Sequence, residues 1–284
     1  MSRFFNETQK VRHSLSSAAD PVRLDVGSVM DEIKQDKVET RDLHRTASII
    51  GRQIQVGRTL KKGPITGYNL DAILSDAVGE AYRTLRTRVM RLQGSNGIHS
   101  IMLTSAVPAE GKTFTALHLA LSCAQLQDRR ILLVDGDLRS RGLTHLLAIP
   151  DGVGLSDVLS GQSSLDEAVL ATEYENFFLV GAGAPCGQPA ELFAGPRWSE
   201  FIDWSSQSFA TIVVDAPPIH SLADAELISA GCDAVLLVVK AFSTPREVTQ
   251  ACGSRIDKRK LIGIVFNGVP NNQESRYSYY GVSS

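Results

Sequence analysis

One segment constrains this chain more than any other. The apolar run Ser100–Thr104 leads into Ser105-Ala-Val-Pro-Ala-Glu-Gly-Lys112-Thr113, and residues 112–125 then follow a helical pattern. A strand that turns through a small-residue loop into a helix at Gly-Lys-Thr is the layout of a phosphate-binding loop. The loop wraps backbone N–H groups around phosphate oxygens, and the helix N-terminus adds about half a positive charge. Gly111 allows close backbone approach, Lys112 neutralises the outer phosphates, and Thr113 offers a hydroxyl to a metal ion. Ala106, Pro108, Ala109, Glu110 and Phe114 complete the expected wall of the site. Ala106 stands where such loops usually carry their first glycine.

Two further apolar runs end in carboxylates. Ile131-Leu-Leu-Val is followed by Asp135-Gly-Asp137-Leu-Arg139, and Ile212-Val-Val by Asp215-Ala-Pro-Pro218. In parallel sheets the ligand lies beyond the carboxyl ends of the strands, so these three aspartates converge on the edge that carries the phosphate loop. Unpaired carboxylates in a partly desolvated site repel one another, and a divalent cation beside the nucleotide resolves this. ATP and Mg²⁺ are the expected cofactors.

The remaining pattern fixes the fold class. Strands are expected at 100–104, 130–134, 177–180, 211–214, 234–239 and 261–266, and helices at 112–125, 165–171, 196–206, 223–229 and 245–256. The strands are apolar throughout rather than alternating, as in a parallel sheet covered on both faces. The fold expected is α/β: a P-loop NTPase with a mostly parallel central sheet between helices, a flexible N-terminal arm and a tyrosine-rich C-terminal tail. Residues 1–70 form the arm, with one short helix near 29–37. Residues 71–270 form the nucleotide-binding domain and 271–284 the tail. Ile73, Ala77, Ala81, Leu85 and Val89 recur every four residues, which predicts an amphipathic helix over 71–92. The arm carries about +4 of charge within a chain of net charge -2, so no global basic balance points to nucleic acid.

At these motifs the chain resembles the bacterial tyrosine kinases of capsule and exopolysaccharide synthesis, a branch of the MinD-like P-loop ATPases. The resemblance runs from about Leu70 to the C-terminus. It implies that Asp135, Asp215 and Thr113 hold Mg²⁺, and that Asp137 assists the acceptor hydroxyl. Arg139 would support the site, Lys112 would act on the phosphates, and Asn267 would contact the base. Ala216 departs from the family's Ser/Thr and removes one hydroxyl. Within the expected helix at 76–93, Glu80, Arg83 and Arg86 match an ExxRxxR pattern used for ring assembly. A solvated Glu80–Arg83 pair is the plainer reading of the same residues. Residues 154–161 and 188–192 also fit the family, as loops and helices near the substrate edge.

Three of six tyrosines, Tyr277, Tyr279 and Tyr280, fall in the last eight residues. By resemblance they are autophosphorylation acceptors. Ten residues separate Asn267 from Tyr277, at most about 33–36 Å when extended. That length reaches a neighbour's site or the chain's own; transfer between neighbours is what the family implies. The same resemblance implies a homo-oligomeric ring, an octamer in one expectation, and an opposing tyrosine phosphatase. It also implies a membrane activator of the polysaccharide co-polymerase type. No apolar run spans a bilayer and no signal peptide is evident, so the expectation is a cytoplasmic protein recruited to the inner face of the membrane by a separate activator. Cys123, Cys186, Cys232 and Cys252 form no CxxC pair and read as isolated thiols. The rival reading is a MinD- or ParA-like positioning ATPase. It is disfavoured because Ser105-Ala106-Val107 lacks that group's extra lysine.

Overall fold

The computed structural model describes residues 58–59, 77–126, 128–219 and 223–269. Eight strands form one sheet: β1 (Arg58–Thr59), β2 (Ser100–Ser105), β3 (Ile131–Asp135), β4 (Leu170–Ala171), β5 (Phe177–Val180), β6 (Thr211–Asp215), β7 (Ala234–Lys240) and β8 (Leu261–Asn267). Their spatial order is β1-β4-β5-β3-β6-β2-β7-β8. Every pairing is parallel except β4 with β5. β2 therefore lies inside the sheet, between β6 and β7.

Nine helices are described: α1 (Ala77–Asn96), α2 (Lys112–Ala124), α3 (Gly142–Leu146), α4 (Leu155–Ser160), α5 (Leu165–Ala168), α6 (Pro189–Ala194), α7 (Pro196–Ser208), α8 (Ala223–Gly231) and α9 (Arg246–Gly253). Successive strand residues point to opposite faces, and the core divides accordingly. Met102, Leu132, Val134, Ile212 and Val214 pack on one side with Val158, Phe193, Trp198, Phe201 and Ile228. Ile101, Leu103, Ile131, Leu133 and Val213 pack on the other with Val89, Leu117, Leu121 and Leu143. Both faces are apolar because both are covered, which is why the strands read as unbroken apolar runs.

The amphipathic helix begins its described part at Ala77, and its buried stripe differs from the expected one. Tyr82 and Val89 are buried, Leu85 and Leu92 are partly buried and packed on the core, and Ala81 is exposed. A strict four-residue repeat drifts around a helix of 3.6 residues per turn, so the true stripe alternates steps of three and four. The helix expected at 165–171 ends at Ala168, and Leu170–Ala171 instead form β4, with Leu170 opposite Leu179 and Ala171 opposite Phe178. Pairing with β5 overrides local helical preference there. Arg58–Thr59, within the expected arm, pair with β4 at the sheet edge. The expected helix near 29–37, the rest of the arm and the tyrosine tail lie outside the described residues. Among the described residues, no helix is long and apolar enough to cross a membrane. Cys123, Cys232 and Cys252 are buried, while Cys186 is half-buried.

One close approach makes a direct prediction. A Cβ on Gly154 would collide with the backbone of Gly181 and Gly183 in the loop after β5. Gly154→Ala should therefore lower stability by about 1–3 kcal/mol, read as a reduced midpoint in thermal or denaturant unfolding.

Candidate nucleotide and phosphoryl-transfer site

The phosphate loop hangs between the end of β2 and the start of α2, and its shape is fixed from beneath. Ala109 (φ 64°) and Gly111 (φ 87°) take left-handed conformations that bend the backbone into a cradle. Ser105 Oγ donates to the Val107 carbonyl at 2.8 Å. Glu110 turns away from the loop and is buried. Its carboxylate accepts from the Val107 N–H at 2.8 Å, the Lys240 N–H at 3.1 Å and the Thr244 hydroxyl. Asn267 Nδ2 donates to the Glu110 carbonyl at 2.9 Å. A Cβ on Gly111 would strike that amide, so Gly111 is required by the approach of Asn267 as well as by its φ. The expected base contact, Asn267, is thus engaged with the phosphate loop itself. Phe114 is partly exposed and packs on His118, at 3.7 Å between ring centroids.

The three aspartates arrive where the strand pattern places them. Asp135 and Asp215 are register partners at the ends of β3 and β6, and all three carboxylates are buried. Lys112 Nζ lies 3.0 Å from Asp137 Oδ2 and 3.3 Å from Asp215 Oδ1. Burial alone would depress its ammonium, but Asp215 and Asp137 outweigh burial and hold it above the ordinary lysine value. Burial pushes Asp215 up to about 7, against the opposing pull of Lys112 and with Asp135 adding to the rise. Burial likewise pushes Asp135 up to about 6, although Thr144 donates to its Oδ2 from both N–H and hydroxyl at 2.7 Å.

Each of these two aspartates keeps one buried oxygen without a hydrogen-bond partner, Asp135 Oδ1 and Asp215 Oδ2. Unpaired carboxylate oxygens on register-paired residues beside a threonine hydroxyl form an all-oxygen donor set, which suits Mg²⁺. Among the described residues, no three His, Cys, Asp or Glu side chains form a metal cluster by themselves. A Mg²⁺ ion that takes part of its shell from phosphates and water needs no such cage.

The other expected residues are placed less simply. Arg139 forms a two-bond ion pair with Asp224, at 2.7 and 3.2 Å. Glu80 and Arg83 pair within one turn at 2.7 Å. Arg86 donates to the Ser122 carbonyl at the end of α2, at 2.6 Å. Tyr277, Tyr279 and Tyr280 lie outside the described residues. Sequence reasoning missed the roles of Thr144, Asp224 and Thr244. None stands at a fixed motif spacing from its partner, and only the fold joins them.

A phosphate loop on a mostly parallel sheet, with carboxylates on two neighbouring strand ends, defines a P-loop NTPase fold. YwqD, a tyrosine-protein kinase of Bacillus subtilis strain 168, is 33% identical over 204 residues, covering 71% of this chain and 86% of that protein. Wzc, a tyrosine-protein kinase of Salmonella typhimurium, is 33% identical over 213 residues, which are 73% of this chain but 29% of Wzc. The solved kinase domain of the Escherichia coli tyrosine kinase Etk matches with a TM-score of 0.67 at 28% identity, covering 78% of this chain and 86% of that one. No family model matches the chain. The chain belongs to the bacterial tyrosine-protein kinases.

Two predictions follow from the site's electrostatics and its underpinning. Asp135 and Asp215 have folded values above the ordinary carboxylate value of 3.8. Protonation therefore stabilises the fold: this contribution is complete below about pH 4 and is lost as pH rises through about 6 and 7. The protein free of nucleotide and metal should melt at a lower temperature at pH 8 than at pH 5.5. Asp215→Asn should flatten that slope and raise the melting temperature at pH 8, by scanning calorimetry. Glu110→Ala would strand the Val107 and Lys240 N–H groups, at about 1–3 kcal/mol for each that stays dry. ADP affinity should fall roughly tenfold or more by titration calorimetry.

Proposed function

We propose that this chain is an ATP-dependent tyrosine autokinase that transfers the γ-phosphoryl of ATP to Tyr277, Tyr279 and Tyr280 of a neighbouring copy in a ring. The observation that carries this reading is the Lys112 ammonium held between Asp137 and Asp215 directly beneath a phosphate loop. Membership of the tyrosine kinases supports the choice of acceptor. β8 ends at Asn267, against the phosphate loop, and the tyrosine tail follows it in the sequence.

Backbone N–H groups of the loop and Lys112 hold the β- and γ-phosphates. Thr113, Asp135 and Asp215 would hold Mg²⁺, which neutralises charge on the phosphate oxygens when bound. Asp137 accepts the phenolic proton. The bond from tyrosine oxygen to phosphorus forms as the bond from phosphorus to the ADP oxygen breaks. Catalysis here is mainly positioning and charge stabilisation.

Each phosphate adds about -1.5 to -2 charges. A modified tail is repelled from a site already lined by Asp135, Asp137 and Asp215, which releases it from the neighbour and loosens the ring. That cycle would regulate exopolysaccharide or capsule synthesis or export. A membrane activator of the co-polymerase type would recruit the chain to the inner face of the membrane, and a tyrosine phosphatase would reset it.

Mass-spectrometric mapping after incubation with ATP and Mg²⁺ tests the reading. Phosphotyrosine is expected in the tail of the wild type and is expected to disappear in Lys112→Met. Replacing Tyr277, Tyr279 and Tyr280 with Phe should remove most incorporation and leave ATP binding intact. ATP hydrolysis without any phosphotyrosine would sink the proposal in favour of a positioning ATPase.

A further inference from the structure

The phosphate loop is braced on one side by hydrogen bonds and bordered on the other by charged side chains. Towards β7 and β8 it is sealed by Asn267, Lys240 and Thr244, all bonded to Glu110. Towards β3 and β5 lie Asp137, Arg139 and the half-buried Cys186, which is within electrostatic reach of Arg139 and Asp224. An acceptor tyrosine arriving on this side would meet these groups. The group that best defines its wall is Arg139, whose side chain is 42% exposed.

Arg139 has no helix or strand of its own to hold it. It sits in the turn after β3, where Ser140 N–H donates to Asp137 Oδ1 at 3.1 Å. Its orientation comes from a carboxylate far away in the chain. Asp224, in the first turn of α8, is buried, with only 3% of its side chain exposed. It receives Arg139 Nε at 2.7 Å and Nη2 at 3.2 Å. A two-pronged bond between a guanidinium and a carboxylate fixes direction as well as distance. Two of the five N–H donors are thereby used, and the others remain at the exposed end of the side chain.

We infer that Asp224 is a positioning residue for phosphoryl transfer: it clamps Arg139 so that the free edge of the guanidinium faces the acceptor side of the site. There it can meet the developing charge of the phosphoryl group or of the phosphotyrosine product. Asp224 touches neither nucleotide nor tyrosine and acts only through Arg139. Buried Asp224 is supported by the first turn of a helix and by the guanidinium. An isolated surface pair would be worth little, so the burial of one partner is what gives the clamp its hold. The inference rests on the kinase reading above.

The test uses the full chain and compares wild type, Asp224→Asn, Arg139→Ala and the double variant. Rates of tyrosine phosphorylation are measured at saturating ATP, and ADP binding and thermal midpoint are measured alongside. Asp224→Asn is expected to lower kcat by up to about 100-fold with ADP affinity unchanged. The double variant should be no slower than Arg139→Ala alone, because both changes remove the same contribution. Should Asp224→Asn fail to fold, Arg139→Lys keeps the charge but loses the fork, and is expected to show the same fall in kcat. Wild-type turnover in Asp224→Asn or Arg139→Lys, or losses that multiply in the double variant, would overturn the inference while leaving the kinase reading intact. A wild-type protein that makes no phosphotyrosine would overturn both.

Discussion

The site is organised around one ammonium group among buried carboxylates. Asp135, Asp137 and Asp215 are each enclosed by the ends of apolar strands, and three negative charges so placed do not persist together without a counter-charge. Lys112 answers two of them directly, and Asp135 is answered instead by Thr144 from α3. The result is a balance rather than saturation. One oxygen on each of the register-paired aspartates is left without a partner, and both carboxyls are displaced towards neutrality. A phosphate on the loop would draw on Lys112, and the unpartnered oxygens of Asp135 and Asp215 would then be the groups available to hold a cation.

The loop is built before any ligand arrives. Glu110 is a carboxylate within a phosphate cradle, where negative charge would ordinarily oppose binding. It faces inward and spends its acceptors on Val107, Lys240 and Thr244. The nucleotide therefore meets backbone N–H groups and Lys112 rather than the Glu110 side chain. Asn267 adds a brace from β8 to the same peptide. The cradle is thus tied to strands on its β8 side, while the turns after β3 are held by Asp137, Thr144 and Asp224.

Much of this was legible in the sequence because burial on both faces leaves a plain signal. Each main strand falls within about a residue of its expected position, since an apolar run that ends in Asp or Ser has little freedom of register. The aspartates were legible for the same reason: a strand end is a fixed address. Elements held by contacts distant in sequence were not. β4 exists because β5 offers it an edge, and α3 is only five residues long, too short to show a period. Arg139 could be placed at the site from the motif, but its partner Asp224 is separated from it by β4, β5 and β6. Arg86 matches a subunit-contact pattern by resemblance, and within the chain its guanidinium caps the carbonyl end of α2. A motif specifies which residues matter more readily than what each one touches.

The central position of β2 has a consequence for how the protein comes into being. Ser100 pairs with Ile212, and Ile101 with Ala234, so both neighbours of the first core strand are made long after it leaves the ribosome. Sheets joined by such distant pairings form slowly and expose apolar edges in the meantime. During synthesis β2 and the apolar face of α2 wait uncovered while β3 to β6 emerge, and a chaperone or the ribosome surface has that interval in which to shield them. A nascent chain that stops before Ala234 carries the whole phosphate-loop sequence and still lacks β7, which flanks β2 in the finished sheet.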